Sequence, residues 1–119
     1  MSYDIELVHP VTRKTLKLDQ PHHMKGGTYC LGGTTDAELN ITYNYAKHYY
    51  RVLDTSAGIR AIYGLTGAES LPLLGKAIST LGDDVSDDYW EPTEGNAKAA
   101  LMQLQALALM RPDGVWAGD

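Results

Sequence analysis

Phenylalanine is absent from this 119-residue chain. Its aromatic content rests on eight tyrosines and two tryptophans, so an aromatic core must be built from rings that carry a polar tip. A single cysteine, Cys30, excludes an internal disulfide and fits a reducing compartment. No apolar run approaches the roughly 18 to 20 residues that a membrane-crossing helix needs. The opening Met1-Ser2-Tyr3-Asp4-Ile5-Glu6 has neither the basic nor the apolar region of a secretory signal. A cytoplasmic protein without membrane association is expected, in which the sequon Asn40-Ile41-Thr42 carries no glycan. Basic residues are scarce in the second half. Through residue 60 there are seven Lys/Arg against six Asp/Glu; from 61 onward there are three against nine. That acidic half, centred on Asp83, Asp84, Asp87, Asp88, Glu91 and Glu94, repels a phosphate backbone and disfavours general nucleic-acid binding.

The catalytic signatures are missing too. His22 and His23 are adjacent, so in an extended chain they point to opposite sides and do not readily share one metal ion. No HExxH, cysteine pair or other ligand spacing occurs, and Asp83-Asp84-Val85-Ser86-Asp87-Asp88 lacks the order of a calcium loop. Cys30 sits in a short apolar segment, which favours an inert thiol, and no serine lies in a nucleophile elbow. Gly26-Gly27 and Gly32-Gly33 match neither a Walker loop nor a dinucleotide fingerprint. No metal and no cofactor are expected.

What is present is a patterned centre. From Leu39 to Tyr45 the chain alternates, with Leu39, Ile41, Tyr43 and Tyr45 on one side and Asn40, Thr42 and Asn44 on the other. That period of two predicts a half-buried strand whose outer face carries amides in place of charges. Tyr3–Val8 and Thr15–Leu18 alternate in the same way around a turn at Pro10, predicting a β-hairpin over 3–18. Residues 19–36 read as loop around a short strand at Thr28–Leu31. Asn44 is expected to cap a helix reaching Leu53, with Tyr45, Tyr49, Val52 and Leu53 inward; residues 59–63 read as a brief strand or helical turn.

A second helix starts either at Thr66, which forms a capping-box pattern with Glu69, or at Leu71 with Ser70 as cap. Both starts put Leu71, Leu74, Ile78 and Leu81 on one face, and Gly82 ends the helix. Thr93 caps a last helix over 94–110. Its apolar face, Ala97, Ala100, Leu101, Leu104, Leu107 and Ala108, belongs either to the centre of the fold or to a subunit interface. Trp116 is expected to pack back onto the domain. The reading is one α+β domain over 1–119: an N-terminal antiparallel hairpin or small sheet of three to four strands against two or three C-terminal helices.

Four runs carry a resemblance: Pro21-His22-His23-Met24-Lys25-Gly26-Gly27-Thr28-Tyr29, Asn40-Ile41-Thr42-Tyr43-Asn44-Tyr45, Tyr63-Gly64-Leu65-Thr66-Gly67-Ala68-Glu69-Ser70 and Trp90-Glu91-Pro92-Thr93-Glu94-Gly95-Asn96-Ala97. Across most of the chain these resemble small uncharacterised proteins of phage, prophage and gut-bacterial genomes. The resemblance brings no established activity or catalytic residue. It implies a genomic setting in which small proteins often counter host defence, by sequestering a nucleotide signal or blocking a protein.

The residues and the setting together favour a non-enzymatic protein that binds a small polar or nucleotide-like ligand, such as a phage sponge, and that forms a homo-oligomer through its last helix. The expected site is His22, His23, Asn40, Tyr43, Asn44, Arg60, Trp90 and Asn96: amides for hydrogen bonds, rings for stacking, and cations for phosphate. Two alternatives stay open. One is an interaction module that meets a basic host protein through the acidic loop; the other is a small metal-dependent hydrolase using the histidines.

Overall fold

The computed structural model describes residues 2–24, 26–27 and 31–119. The elements run β1 (Ser2–Val8), β2 (Lys17–His22), β3 (Thr34–Asp36), β4 (Glu38–Thr42), α1 (Ala46–Val52), α2 (Gly67–Thr80), α3 (Glu94–Met110) and β5 (Val115–Gly118), with single 3-10 turns at Tyr43–Tyr45 and Gly58–Ile62. The fold is α+β. Of the expected short strand only Leu31 is described, and it is exposed; Lys25 and Cys30 lie outside the described residues.

β1 is the middle strand of an antiparallel sheet, with β4 on one edge and β5 on the other. Its alternation gives the sheet two unlike faces. Tyr3 opposes Ile41, Ile5 opposes Leu39 and Leu7 opposes Trp116; all six are buried with Leu74, Leu101, Leu104 and Leu107 of the helices in one core. The opposite face pairs Asp4 with Asn40, and Glu6 with both Glu38 and Ala117. Over this polar side lies the two-stranded ribbon of β2 and β3.

The hairpin expected over 3–18 closes for one rung only. Val8 bridges Thr15 and the Leu16 N–H donates to the Leu7 carbonyl at 2.9 Å, after which β2 leaves to pair with β3. Further pairing is blocked because β4 and β5 already hold both edges of β1. Leu16 and Leu18 are nevertheless buried, as their alternation requires.

The central strand also stops earlier than its pattern. Thr42 turns the chain, and its hydroxyl accepts from the Asn44 N–H at 3.1 Å to cap the 3-10 turn; α1 then starts after Tyr45 with no side-chain cap, so Asn44 does not cap it. A 3-10 turn then carries Tyr45 back to the core side. Nor is β4 half-buried: Asn40 and Thr42 are 9% and 1% exposed, because Gly26 and Gly27 lie against Asn40 and Tyr89 lies against Thr42.

Local helix signals carry through. Thr66 and Glu69 form both bonds of a capping box, and Pro72 lies inside α2, in its second turn, where it gives up one intrahelical hydrogen bond. Thr93 caps α3 by accepting from the Asn96 N–H at 3.0 Å. The apolar face of α3 is spent inside one chain: Ala97, Leu101, Leu104, Leu107 and Ala108 are fully enclosed, leaving Met102, Leu109 and Met110 outside. Among the described residues no helix is long and apolar enough to cross a membrane.

Trp116 anchors the segment after α3. Its indole N–H donates to the Ser70 hydroxyl at 2.8 Å, and that hydroxyl donates to the Gly67 carbonyl at 2.8 Å. Gly67 must be glycine here, because a Cβ would sit 2.8 Å from the Arg111 carbonyl oxygen. Its N–H and that of Ala68 donate to the carbonyls of Gly114 and Pro112, so the start of α2 is satisfied by the turn that leads into β5. Ser70→Ala strands a buried indole N–H and is expected to cost about 1–3 kcal/mol in urea unfolding; a change within a few tenths would show that this link carries no stability.

Candidate ligand-binding cleft

Between the polar face of the sheet and the β2–β3 ribbon lies a cleft of about 420 Å³, within the range of small-molecule sites. Its floor is the carboxylate face of β1 and β4, namely Asp4, Glu6, Glu38 and Asn40; β5 adds Ala117 and Asp119 follows it. Across from them stand His22, His23, Met24 and Thr34. The pairing register puts Glu6 directly opposite Glu38, so two like charges face each other at a Cβ separation of roughly 5 Å. Thr15 donates its hydroxyl to Glu6 Oε2 at 2.7 Å, whereas Glu38 has no side-chain hydrogen bond among the described residues. Asp36 stands nearby but is paired with Lys17.

Asn40 sits at the back of this floor. Its amide nitrogen donates to Asp4 Oδ1 at 2.6 Å and to Ser2 Oγ at 2.7 Å. A carboxylate oxygen beside it requires a donor, which fixes the amide orientation. Asn40 Oδ1 is therefore an acceptor, buried and without a partner among the described residues. The chain passes very close behind it: a Cβ on Gly26 would overlap the Asn40 carbonyl oxygen, and one on Gly27 would lie 2.5 Å from Oδ1.

The eight residues expected to form one site are distributed over four places. His22, His23 and Asn40 meet at the cleft. His22 is a wall residue there, because Nε2 lies 2.9 Å from the Asp36 carbonyl oxygen and Nδ1 accepts from the Met24 N–H at 3.3 Å. Both ring nitrogens are thus engaged. His23 is exposed and packs against Gly33.

Asn44 and Trp90 form a second group, with the Asn44 amide donating to the Trp90 carbonyl at 2.9 Å and the indole half exposed. Tyr89 beside them accepts from the Thr42 N–H at 2.9 Å and stacks edge-on against both Trp90 and Tyr45. In the third place Arg60 packs over the rings of Tyr3 and Tyr43 at 4.9 and 5.8 Å, and its Nε donates to the Asp119 carbonyl at 2.7 Å. Asn96 is the fourth. Its Oδ1 accepts from the Ser86 N–H, and its Nδ2 donates to the carbonyls of Asp88 and Glu91, each at 3.0 Å, which ties the acidic loop to α3.

Sequence reasoning missed Asp4, Glu6 and Glu38. Their alternation was visible, but an acidic outer face reads as solvated until something is known to cover it. Glu38 lies two residues before Asn40, on the same side of the strand, and that parity was the available signal.

Among the described residues no three His, Cys, Asp or Glu side chains gather closely enough to hold a metal ion. A smaller hollow of about 220 Å³ opens beside Tyr45, Tyr89, Asn96 and Gln103. Comparison with family models, with curated proteins and with solved structures gives no match for this chain. The likeness to small phage proteins therefore rests on the sequence runs alone.

Burial raises the Glu38 pKa, and the charges of Asp36, Glu6 and Asp4 push it the same way, against His22. A carboxyl that holds its proton more tightly folded than unfolded contributes stability that is full below its ordinary value of 4.5 and is lost as pH rises through the shifted value. Glu38→Gln is expected to flatten the decline of Tm across that window and to raise Tm at neutral pH. An unchanged Tm–pH profile would show that Glu38 is an ordinary solvated carboxylate.

Proposed function

We propose that this is a non-enzymatic binding protein that holds a small polar ligand in the cleft between the β4–β1–β5 sheet and the β2–β3 ribbon. The observation that supports it best is the ligand-sized space between a sheet side rich in hydrogen-bonding and acidic groups and the second ribbon that faces it. Ordinary outer sheet faces are left to water. The lining argues about ligand charge as well. Asp4, Glu6, Glu38 and Asp119 repel a phosphate, and Arg60 is engaged with tyrosine rings and the Asp119 carbonyl, so among the described residues no Lys or Arg lines the cleft to meet a nucleotide phosphate. The sponge idea thus survives as sequestration of a small molecule, with a phosphate-bearing signal disfavoured in this cleft.

A second reading has one observation in its favour. Val85 and Trp90 are 70% and 48% exposed amid Asp83, Asp84, Asp87 and Asp88, an apolar anchor with an acidic rim suited to a basic protein.

Native mass spectrometry of the chain purified from its own cells separates these readings. We expect a retained small-molecule mass that disappears in Ala117→Trp, a substitution that fills the cleft from β5 while leaving the folded circular-dichroism spectrum intact. A retained ligand that survives Ala117→Trp would place binding elsewhere, and a co-purified basic protein in place of a small molecule would favour the acidic loop.

A further inference from the structure

The turn from α3 into β5 contains the sequence's one Asp-Gly pair, Asp113-Gly114; no Asn-Gly pair occurs. In such a pair the following backbone nitrogen is a nucleophile toward the aspartate Cγ, and glycine puts no Cβ in its path. The N–Cγ bond forms as the neutral carboxyl gives up its hydroxyl and the nitrogen its proton, together one water, leaving a succinimide. Water then reopens the ring at either carbonyl, which restores aspartate or gives isoaspartate. A carboxylate does not react this way, because it has no hydroxyl to lose.

Packing makes the glycine obligatory. A Cβ at Gly114 would lie 2.6 Å from Leu16 Cδ1 and 3.0 Å from Leu7 Cβ. Asp113 itself is open to water, its side chain 63% exposed. What restrains the pair is Arg111. Its Nε donates to Asp113 Oδ1 at 3.1 Å and its Nη2 to Oδ2 at 2.8 Å, a fork that engages both carboxylate oxygens. Nη1 donates to the Lys17 carbonyl at 2.7 Å, which anchors the guanidinium to β2. The attacking nitrogen is engaged as well, because the Gly114 N–H donates to the Arg111 carbonyl at 3.1 Å. Hydrogen bonds from Arg111, its charge and that of His9 when protonated hold the Asp113 carboxyl below its ordinary value; Asp19 is the other charged group acting on Arg111.

We infer that Asp113-Gly114 is a site of succinimide formation and isoaspartate conversion, held latent in the folded chain by the Arg111 fork. The inference stands apart from the cleft reading and does not depend on it. An isoaspartate runs the main chain through its own Cβ and Cγ, which lengthens the turn. The Pro112 and Gly114 carbonyls of that turn satisfy the start of α2, and its end registers β5 against β1. Conversion therefore loosens the strand that brings Ala117 to the cleft.

Timed incubation of the full chain over a range of mildly acidic to neutral pH tests the inference, with isoaspartate at 113 counted by peptide mapping. The folded wild-type chain is expected to convert at least about tenfold more slowly than the same chain in urea. Arg111→Gln should recover about tenfold in the folded state, the factor that release of a charge-assisted hydrogen bond of ~1.4 kcal/mol gives. It should also move the fall of rate with pH to higher pH, because the carboxyl then ionises later; a merely loosened turn gives no such shift. Arg111→Lys, which keeps the charge and loses the fork, should lie between the two, and it carries the same test if Arg111→Gln does not fold. No isoaspartate at 113 even in urea would overturn the site. Equal folded rates with and without Arg111, or a faster variant whose pH profile stays put, would overturn the role of the fork.

Discussion

Pairing of the Ser2–Val8 strand on both edges is the constraint on which the molecule depends. β4 arrives from the middle of the chain and β5 from residues 115–118, and together they leave β1 no free edge. With its neighbours fixed, its side-chain alternation divides the molecule: Tyr3, Ile5 and Leu7 go to the helices, while Asp4 and Glu6 go to the other side. A slip of one residue would exchange these sets and bury carboxylates in the core, so the register is strongly specified. The same exclusion of further pairing diverts β2, which would otherwise extend a hairpin, into the ribbon that roofs the polar face. The cleft is thus a consequence of topology: the sheet cannot accept β2 at its edge, and β2 lies over it instead.

The helices were readable from the sequence because their signals are local. A Thr-x-x-Glu box, a Thr cap and a period near 3.6 are complete within a few residues, and α2 and α3 follow them closely. The strand pairing was not readable in that way. Val115-Trp116-Ala117-Gly118 is too short to show a period, and its partner lies at the opposite end of the sequence. The expectation that Trp116 packs back was right about burial and silent about the strand that buries it. The candidate site was legible in part for the same reason. His22, His23 and Asn40 were chosen by residue type and do line the cleft, whereas Asn96 and Arg60 were chosen by type and are engaged with backbone carbonyls and tyrosine rings. Side-chain chemistry names the groups capable of binding; only tertiary pairing decides which of them are already used.

Absence of phenylalanine has a structural counterpart. Tyr45 and Tyr49 are fully buried, and each uses its hydroxyl to fasten a neighbouring segment, Tyr45 to the Tyr89 carbonyl and Tyr49 to the Ala97 carbonyl at 3.0 Å. Burial in turn raises the pKa of both phenols, which keeps them protonated as donors. Among the described tyrosines, Tyr3, Tyr45 and Tyr49 are buried in the core and Tyr43, Tyr63 and Tyr89 pack against it. The acid-lined side of the sheet is the other face, where Glu6 stands opposite Glu38 across the strand pair.

The most direct measurement is an amide-resolved NMR comparison of the full chain carrying its retained small molecule and of the same chain after that molecule is removed. Shift changes are expected at Asp4, Glu6, Glu38, Asn40 and Ala117, on the facing strands of one sheet side. Changes confined to Asp83, Asp84, Asp87 and Asp88, or none at all at the five cleft residues, would contradict binding in the cleft.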